Sequence, residues 1–101
     1  MGDNEDFGFA LPAFQPEAAL QTLRRELRAL GLTERAGRFE RRGLPIARAA
    51  VDGAVLQAAR VERPSRTSPA WRDKALKNSA DVRSFVADLR QQLALWGGDD
   101  D

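Results

Sequence analysis

Apolar residues recur at three- and four-residue spacing in two stretches of the chain. In Pro16–Leu30 the repeating positions are Ala19, Leu20, Leu23, Leu27 and Leu30. In Ser79–Trp96 they are Val82, Phe85, Val86, Leu89, Leu93 and Trp96. This spacing places the side chains on one face of a helix. The pattern therefore predicts two amphipathic helices, each with one apolar face to bury.

The residues at the ends of these stretches support both helices. Pro16 suits a first helical turn, where its missing N–H is not needed. Gly31 can adopt the left-handed conformation that ends many helices, and Gly97 and Gly98 end the second stretch. Ser79 is a candidate N-cap for the second helix.

The middle of the chain predicts three short strands in one antiparallel sheet: Arg38–Arg42, Leu44–Val51 and Ala54–Arg63. Asp52-Gly53 separates the last two, and Asp-Gly between two apolar runs is typical of a tight hairpin. The polar stretch Ser65–Asn78 predicts a loop. The expected fold is α+β in α-β-β-β-α order, with two helices packed on one face of a three-stranded antiparallel sheet.

A helix over residues 45–62 is the competing interpretation, and it would make the protein all-α. Six alanines in this region favour a helix over a strand; they are Ala47, Ala49, Ala50, Ala54, Ala58 and Ala59. Against this, Ile46, Val51 and Val55 would scatter around the circumference of such a helix. The hairpin is the preferred interpretation, and the helix stays open as the alternative.

The chain length of 101 residues predicts a single domain. Its expected divisions are an irregular segment at 1–15 with an acidic start, one α+β domain at 16–96 and an acidic tail at 97–101. No apolar run reaches the roughly 18 residues of a membrane span. Met1–Asp6 is acidic, whereas a secretory signal begins with basic residues. We therefore expect a cytoplasmic protein that makes no membrane contact.

The chain contains neither cysteine nor histidine. This excludes disulfides, thiolate metal sites and every Ser-His or Cys-His nucleophile, and it removes the commonest general acid/base and metal ligand. We therefore expect a non-enzymatic protein without a metal or other cofactor.

The formal net charge of +1 conceals an uneven distribution of charge. All 16 lysines and arginines lie between Arg24 and Arg90, while six of the 15 acidic residues lie before Phe7 or after Gly98. The body between these tails therefore carries seven more basic than acidic residues. Such a surplus is typical of proteins that meet a polyanion.

These charges predict a basic surface that binds nucleic acid or another polyanion. Arginine makes two-pronged contacts with phosphate, and an exposed tryptophan can stack on a base. Trp71 is the candidate stacking residue, although a tryptophan in a loop more commonly covers the edge of a core. The candidate phosphate contacts are Arg38, Arg41, Arg42, Arg66, Lys74 and Lys77.

The predicted element order is similar to that of double-stranded-RNA-binding domains. The segment from Lys74 to Ala80, with Lys77 in its middle, resembles their basic phosphate-binding segment. The chain has no histidine and therefore lacks their Gly-Pro-x-His element. The likeness is one of architecture, which by itself is a weak guide to function.

Three phenylalanines in the first 15 residues suggest a different partner. Phe7, Phe9 and Phe14 could pack on the domain or dock on another protein. The alternative function is therefore a protein-interaction module, or a homodimer that self-associates through an exposed sheet edge.

Overall fold

A computed structural model describes residues 13–98 of the chain. Two helices flank five consecutive strands along the sequence. The elements are α1 (Pro16–Ala29), β1 (Thr33–Arg35), β2 (Arg38–Arg41), β3 (Leu44–Asp52), β4 (Val55–Val61), β5 (Trp71–Leu76) and α2 (Ser79–Gly98).

The five strands form one antiparallel sheet in the order in which they occur along the chain. Two-residue turns connect β1 to β2, β2 to β3 and β3 to β4. A longer loop joins β4 to β5, and the Glu62 N–H donates to the Ala70 carbonyl at 2.9 Å across its base. The strands between β1 and β5 are paired on both sides, which leaves β1 and β5 as edges.

Both helices lie on the same face of this sheet. Glu34, Phe39, Ala47 and Arg60 stand directly opposite one another on β1 to β4, and directly opposed residues share a face. Glu34 accepts hydrogen bonds from arginines of α1, and Arg60 donates to Asp88 of α2. We call this side the helix face and the other side the outer face.

The hydrophobic core fills the space between the helices and the helix face. Its side chains come from both helices and from β2 to β5. The largest of those that are less than 2% exposed are Leu23, Leu27, Phe39, Ile46, Leu56, Val61, Leu76 and Leu89. Ala47 and Ala58 are also buried on the strands that α1 contacts. Their small size leaves room for that helix, which explains why poor strand formers occupy the middle of the sheet.

The structure confirms the α+β class and corrects the number of strands from three to five. Thr33–Arg35 was not predicted, and Trp71–Leu76 was predicted to be part of a loop. The third predicted strand ends at Val61 rather than at Arg63. The longer sheet also departs from the α-β-β-β-α order of double-stranded-RNA-binding domains.

The alternative of a helix over residues 45–62 is wrong. The segment forms the β3–β4 hairpin, in which Asp52 is paired with Val55. Gly53 has a φ of 62° at the first of the two turn residues, a position that favours glycine in a hairpin. The Asp-Gly signal therefore predicts the chain reversal correctly, against the helix preference of the alanines.

Local hydrogen bonds explain where the helices begin and end. After α1, the Gly31 N–H donates to the Arg28 carbonyl and the Leu32 N–H to the Leu27 carbonyl, as in a Schellman motif. The N-cap of α2 is Asn78 rather than the predicted Ser79, because its Oδ1 accepts from the Asp81 N–H at 2.8 Å. This helix also runs two residues past Trp96.

Candidate functional site

Three arginines form a row across the outer face of the sheet. Arg35 on β1 stands opposite Arg38 on β2, which in turn stands opposite Arg48 on β3. We call these three residues the arginine row. Like charges directly opposite one another destabilise a sheet. The row is therefore an arrangement that strand pairing alone does not favour.

Nearby carboxylates compensate only part of this charge. Arg35 Nη2 lies 3.5 Å from Glu40 Oε2, and Arg48 Nη2 lies 3.7 Å from Asp73 Oδ1. Both separations exceed the usual range of a hydrogen bond. Arg38, in the middle of the row, forms no ion pair with any residue in the range 13–98. The centre of the row is thus a local excess of positive charge.

Trp71 holds Arg48 in place on the outer face. The guanidinium carbon of Arg48 lies 4.2 Å from the centroid of the Trp71 ring, within the range of a cation–π contact. Ala59 lies between Arg48 and Asp73 in the register and is 1% exposed. Trp71 itself is half-buried and packs against the core. It therefore covers a core edge and presents part of its ring to an arginine.

A shallow depression of about 540 Å³ lies beside the arginine row. Ala50 and Ala59 are part of its lining, together with Arg38, Arg48 and Gln57. Ala50 is exposed, and its small side chain lets a ligand approach the sheet closely. The polar side chains around it can donate hydrogen bonds to that ligand.

A second basic area lies at the C-terminal end of α2. Arg41, Arg42 and Arg63 line a groove of about 540 Å³ together with Trp96. Arg41 Nη1 donates to the carbonyl of Leu93 at 3.3 Å, which ties the groove to α2 and hence to the helix face. The groove and the arginine row therefore belong to different faces of the sheet.

The remaining predicted phosphate contacts do not extend the arginine row or the groove at the end of α2 into one continuous basic surface. Arg66 is exposed in the β4–β5 loop. Lys74 is exposed on edge strand β5, where the register places it opposite Ala58. Lys77 is exposed between β5 and α2, and its backbone N–H donates to Asp81 Oδ2 at 2.9 Å. Of the predicted set, Arg38 and Trp71 lie on the outer face.

The sequence reasoning missed Arg35 and Arg48 as members of the site. Arg48 lies within the predicted second strand, but its position beside Arg38 depends on the strand register. Arg35 lies on the strand that was not predicted. The pairs Ala36-Gly37 and Arg42-Gly43 both have positive φ at each residue, as a type I′ turn requires. An X-Gly pair at each end of β2 was the signal for two successive hairpins.

Of the three phenylalanines, Phe14 is half-buried and packs against the core. Phe7 and Phe9 lie outside the described residues. Within residues 13–98, no group of three or more histidine, cysteine or acidic side chains could hold a metal ion. No helix in that range is long and apolar enough to cross a membrane.

No family model, curated protein or solved structure matches the chain.

Proposed function

We propose that this protein is a non-enzymatic binding protein that holds the phosphate backbone of a nucleic acid against the outer face of its sheet. The observation that carries the proposal is the arginine row, whose central member, Arg38, has no carboxylate partner within residues 13–98. Arginine is suited to phosphate because its planar fork donates two hydrogen bonds at once. A bound phosphate would also relieve the repulsion within the row.

The shape of the outer face favours a single strand over a duplex. Proteins that read a duplex insert a helix or a two-stranded ribbon into its major groove, and both helices of this protein lie on the opposite face. An unpaired base can instead stack on a guanidinium plane or an aromatic ring. The stacked pair of Arg48 and Trp71 offers such a platform beside the phosphate contacts.

Salt-dependent binding tests the proposal. Fluorescence anisotropy would follow labelled single-stranded RNA, single-stranded DNA and duplex DNA of equal length as protein is added. Three phosphate contacts to a single strand predict a slope of about −2 in log K against log salt, which is roughly 20-fold weaker binding at 200 mM than at 50 mM. No binding at low salt and about 50 µM protein would refute polyanion binding.

A matched pair of variants tests the location of the site. Arg38→Gln removes the central charge of the row, whereas Arg25→Gln removes an exposed arginine of α1 that also lacks an ion pair within residues 13–98. We expect Arg38→Gln to weaken single-strand binding about fivefold and to reduce the salt slope by about 0.7. The Arg25→Gln control should stay within about twofold of the parent. Equal losses would assign the binding to overall charge instead.

The rival proposal is self-association through a sheet edge. Edge strand β5 carries three exposed charged residues in succession, Arg72, Asp73 and Lys74. Charged side chains on an edge strand oppose the addition of another strand, which favours the outer face over the edge as the functional surface. Light scattering tests the rival, since self-association predicts a mass that rises with protein concentration.

A further inference from the structure

The groove at the end of α2 has the size and the apolar wall of a small-molecule site. Its volume of about 540 Å³ is typical of such sites. Leu44, Pro64 and Trp96 line it, and all three are half-buried. Trp96 also packs against the core, which restricts the movement of its ring. The wall can therefore hold a flat apolar group.

An irregularity of the sheet lies at the same place. The pairing of β2 with β3 shifts between Phe39 and Glu40, which leaves Ile46 without a directly opposed partner, as in a β-bulge. Ile46 is fully buried and borders the groove. Bulges bend a strand, re-aim its side chains and are common beside functional sites. The bend in β3 therefore coincides with the groove.

Three arginines line the groove, and they differ in what they already contact. Arg41 Nη1 donates to the Leu93 carbonyl at 3.3 Å and would lie 3.6 Å from a Cβ placed on Gly97. Arg41 therefore offsets the negative partial charge at the end of α2. Arg42 and Arg63 are exposed. The guanidinium of Arg63 forms no hydrogen bond or ion pair with any residue in the range 13–98, so its donors are available to a ligand.

Among the lining residues that the structure describes, Glu62 carries the one carboxylate. Its Oε2 lies 3.7 Å from Arg72 Nε, which is beyond the usual range of a hydrogen bond. The carboxylate can therefore accept a hydrogen bond from a ligand. The groove thus combines a flat apolar wall, positively charged donors and a single negatively charged acceptor.

We propose that this groove binds a nucleoside monophosphate whose base carries an amino group. The base stacks on Trp96, the phosphate accepts hydrogen bonds from Arg63 and Arg42, and the amino group donates to Glu62. The site is separate from the proposed single-strand site, because its lining includes neither the arginine row nor Trp71.

The nuclear magnetic resonance signals of the two indole N–H groups test the site in the full chain. The chain has two tryptophans, of which Trp96 lines the groove and Trp71 lies on the outer face. Cytidine monophosphate should shift the Trp96 signal and leave the Trp71 signal unchanged, and Trp71→Phe would assign the two. Cytidine, which lacks the phosphate, should bind at least about tenfold more weakly.

Matched variants test the two polar contacts. Arg63→Gln should weaken the binding of cytidine monophosphate about tenfold, whereas Arg66→Gln, which removes an exposed arginine of the β4–β5 loop, should stay within about twofold of the parent. Uridine monophosphate has a carbonyl in place of the amino group and should bind about fivefold more weakly. Glu62→Gln should remove this difference, because an amide both accepts and donates.

Several outcomes would overturn the proposal. An unchanged Trp96 signal at about 10 mM cytidine monophosphate is one. Equal affinity for inorganic phosphate is another, because it would assign the binding to charge alone. A shift confined to Trp71, or weaker binding by Arg38→Gln, would place the nucleotide on the outer face instead.

A 5′-phosphorylated cytidine dinucleotide distinguishes two sources of the same ligand. Tighter binding than cytidine monophosphate would assign the groove to the end of a strand, and weaker binding would assign it to the free nucleotide.

Discussion

The two faces of the sheet use arginine in different ways. On the helix face, arginines of α1 and β4 donate hydrogen bonds to Glu34 and Asp88, which belong to other elements. On the outer face, Arg35 and Arg48 lie 3.5 and 3.7 Å from their carboxylates, and Arg38 pairs with no acidic residue in the range 13–98.

This difference follows from what packs against each face of the sheet. A helix packed on a sheet brings acidic and basic side chains of separate elements together, and partial burial strengthens their hydrogen bonds. Within residues 13–98 no other element packs on the outer face, so its arginines are exposed and keep their capacity to donate. The same residue type thus stabilises the fold on one face and supports our proposed function on the other.

Truncating a large side chain on each face should give the largest contrast in stability. Phe39→Ala on the helix face removes a side chain that is 1% exposed, and we expect it to lower the free energy of unfolding by about 3–5 kcal/mol. Gln57→Ala on the outer face should change it by less than about 0.5 kcal/mol. Urea denaturation would measure both. Similar losses would show that the outer face also packs against something.

Removing one carboxylate from each face should give a smaller contrast in the free energy of unfolding. Asp88→Ala leaves the 11%-exposed side chain of Arg60 without its ionic partner, so we expect a loss of about 1–2 kcal/mol. Asp73→Ala affects a solvated pair with Arg48 and should cost less than about 0.5 kcal/mol. It should also tighten single-strand binding, because Arg48 then faces a bound phosphate without a competing carboxylate. Weaker binding by Asp73→Ala would contradict the proposed role of Arg48.

The smallest expected effect on stability comes from a substitution in the arginine row itself. Arg38→Gln relieves repulsion between directly opposed arginines and should raise the free energy of unfolding by about 0.2–0.5 kcal/mol at low salt. In about 1 M salt, where charges are screened within roughly 3 Å, the gain should vanish. Thermal unfolding at the two salt concentrations would measure it. A stability loss at low salt would mean that Arg38 has a structural role.

Much of the fold could be predicted because its signals are local. The two helices follow from apolar spacing, and Gly31 takes the expected positive φ two residues after the last residue of the first helix. The β3–β4 hairpin follows from Asp52-Gly53. The candidate site was only partly predictable: Arg38 and Trp71 were identified, whereas Arg35 and Arg48 were not. Their role depends on which strands are neighbours and in which register, and neither is a local property.

By itself the sequence determined the helices, the central hairpin and the basic surplus, because each depends on residue type and short-range spacing. Only the tertiary structure decided that Trp71–Leu76 is a strand, since this polar segment gains its hydrogen bonds by pairing with β4. It also decided that the predicted basic residues do not share one surface: Arg38 lies on the outer face, Arg41 and Arg42 line the groove at the end of α2, and Arg66 and Lys77 lie between elements. The side on which a strand residue lies is set by its register with distant partners, and no run of neighbouring residues carries that information.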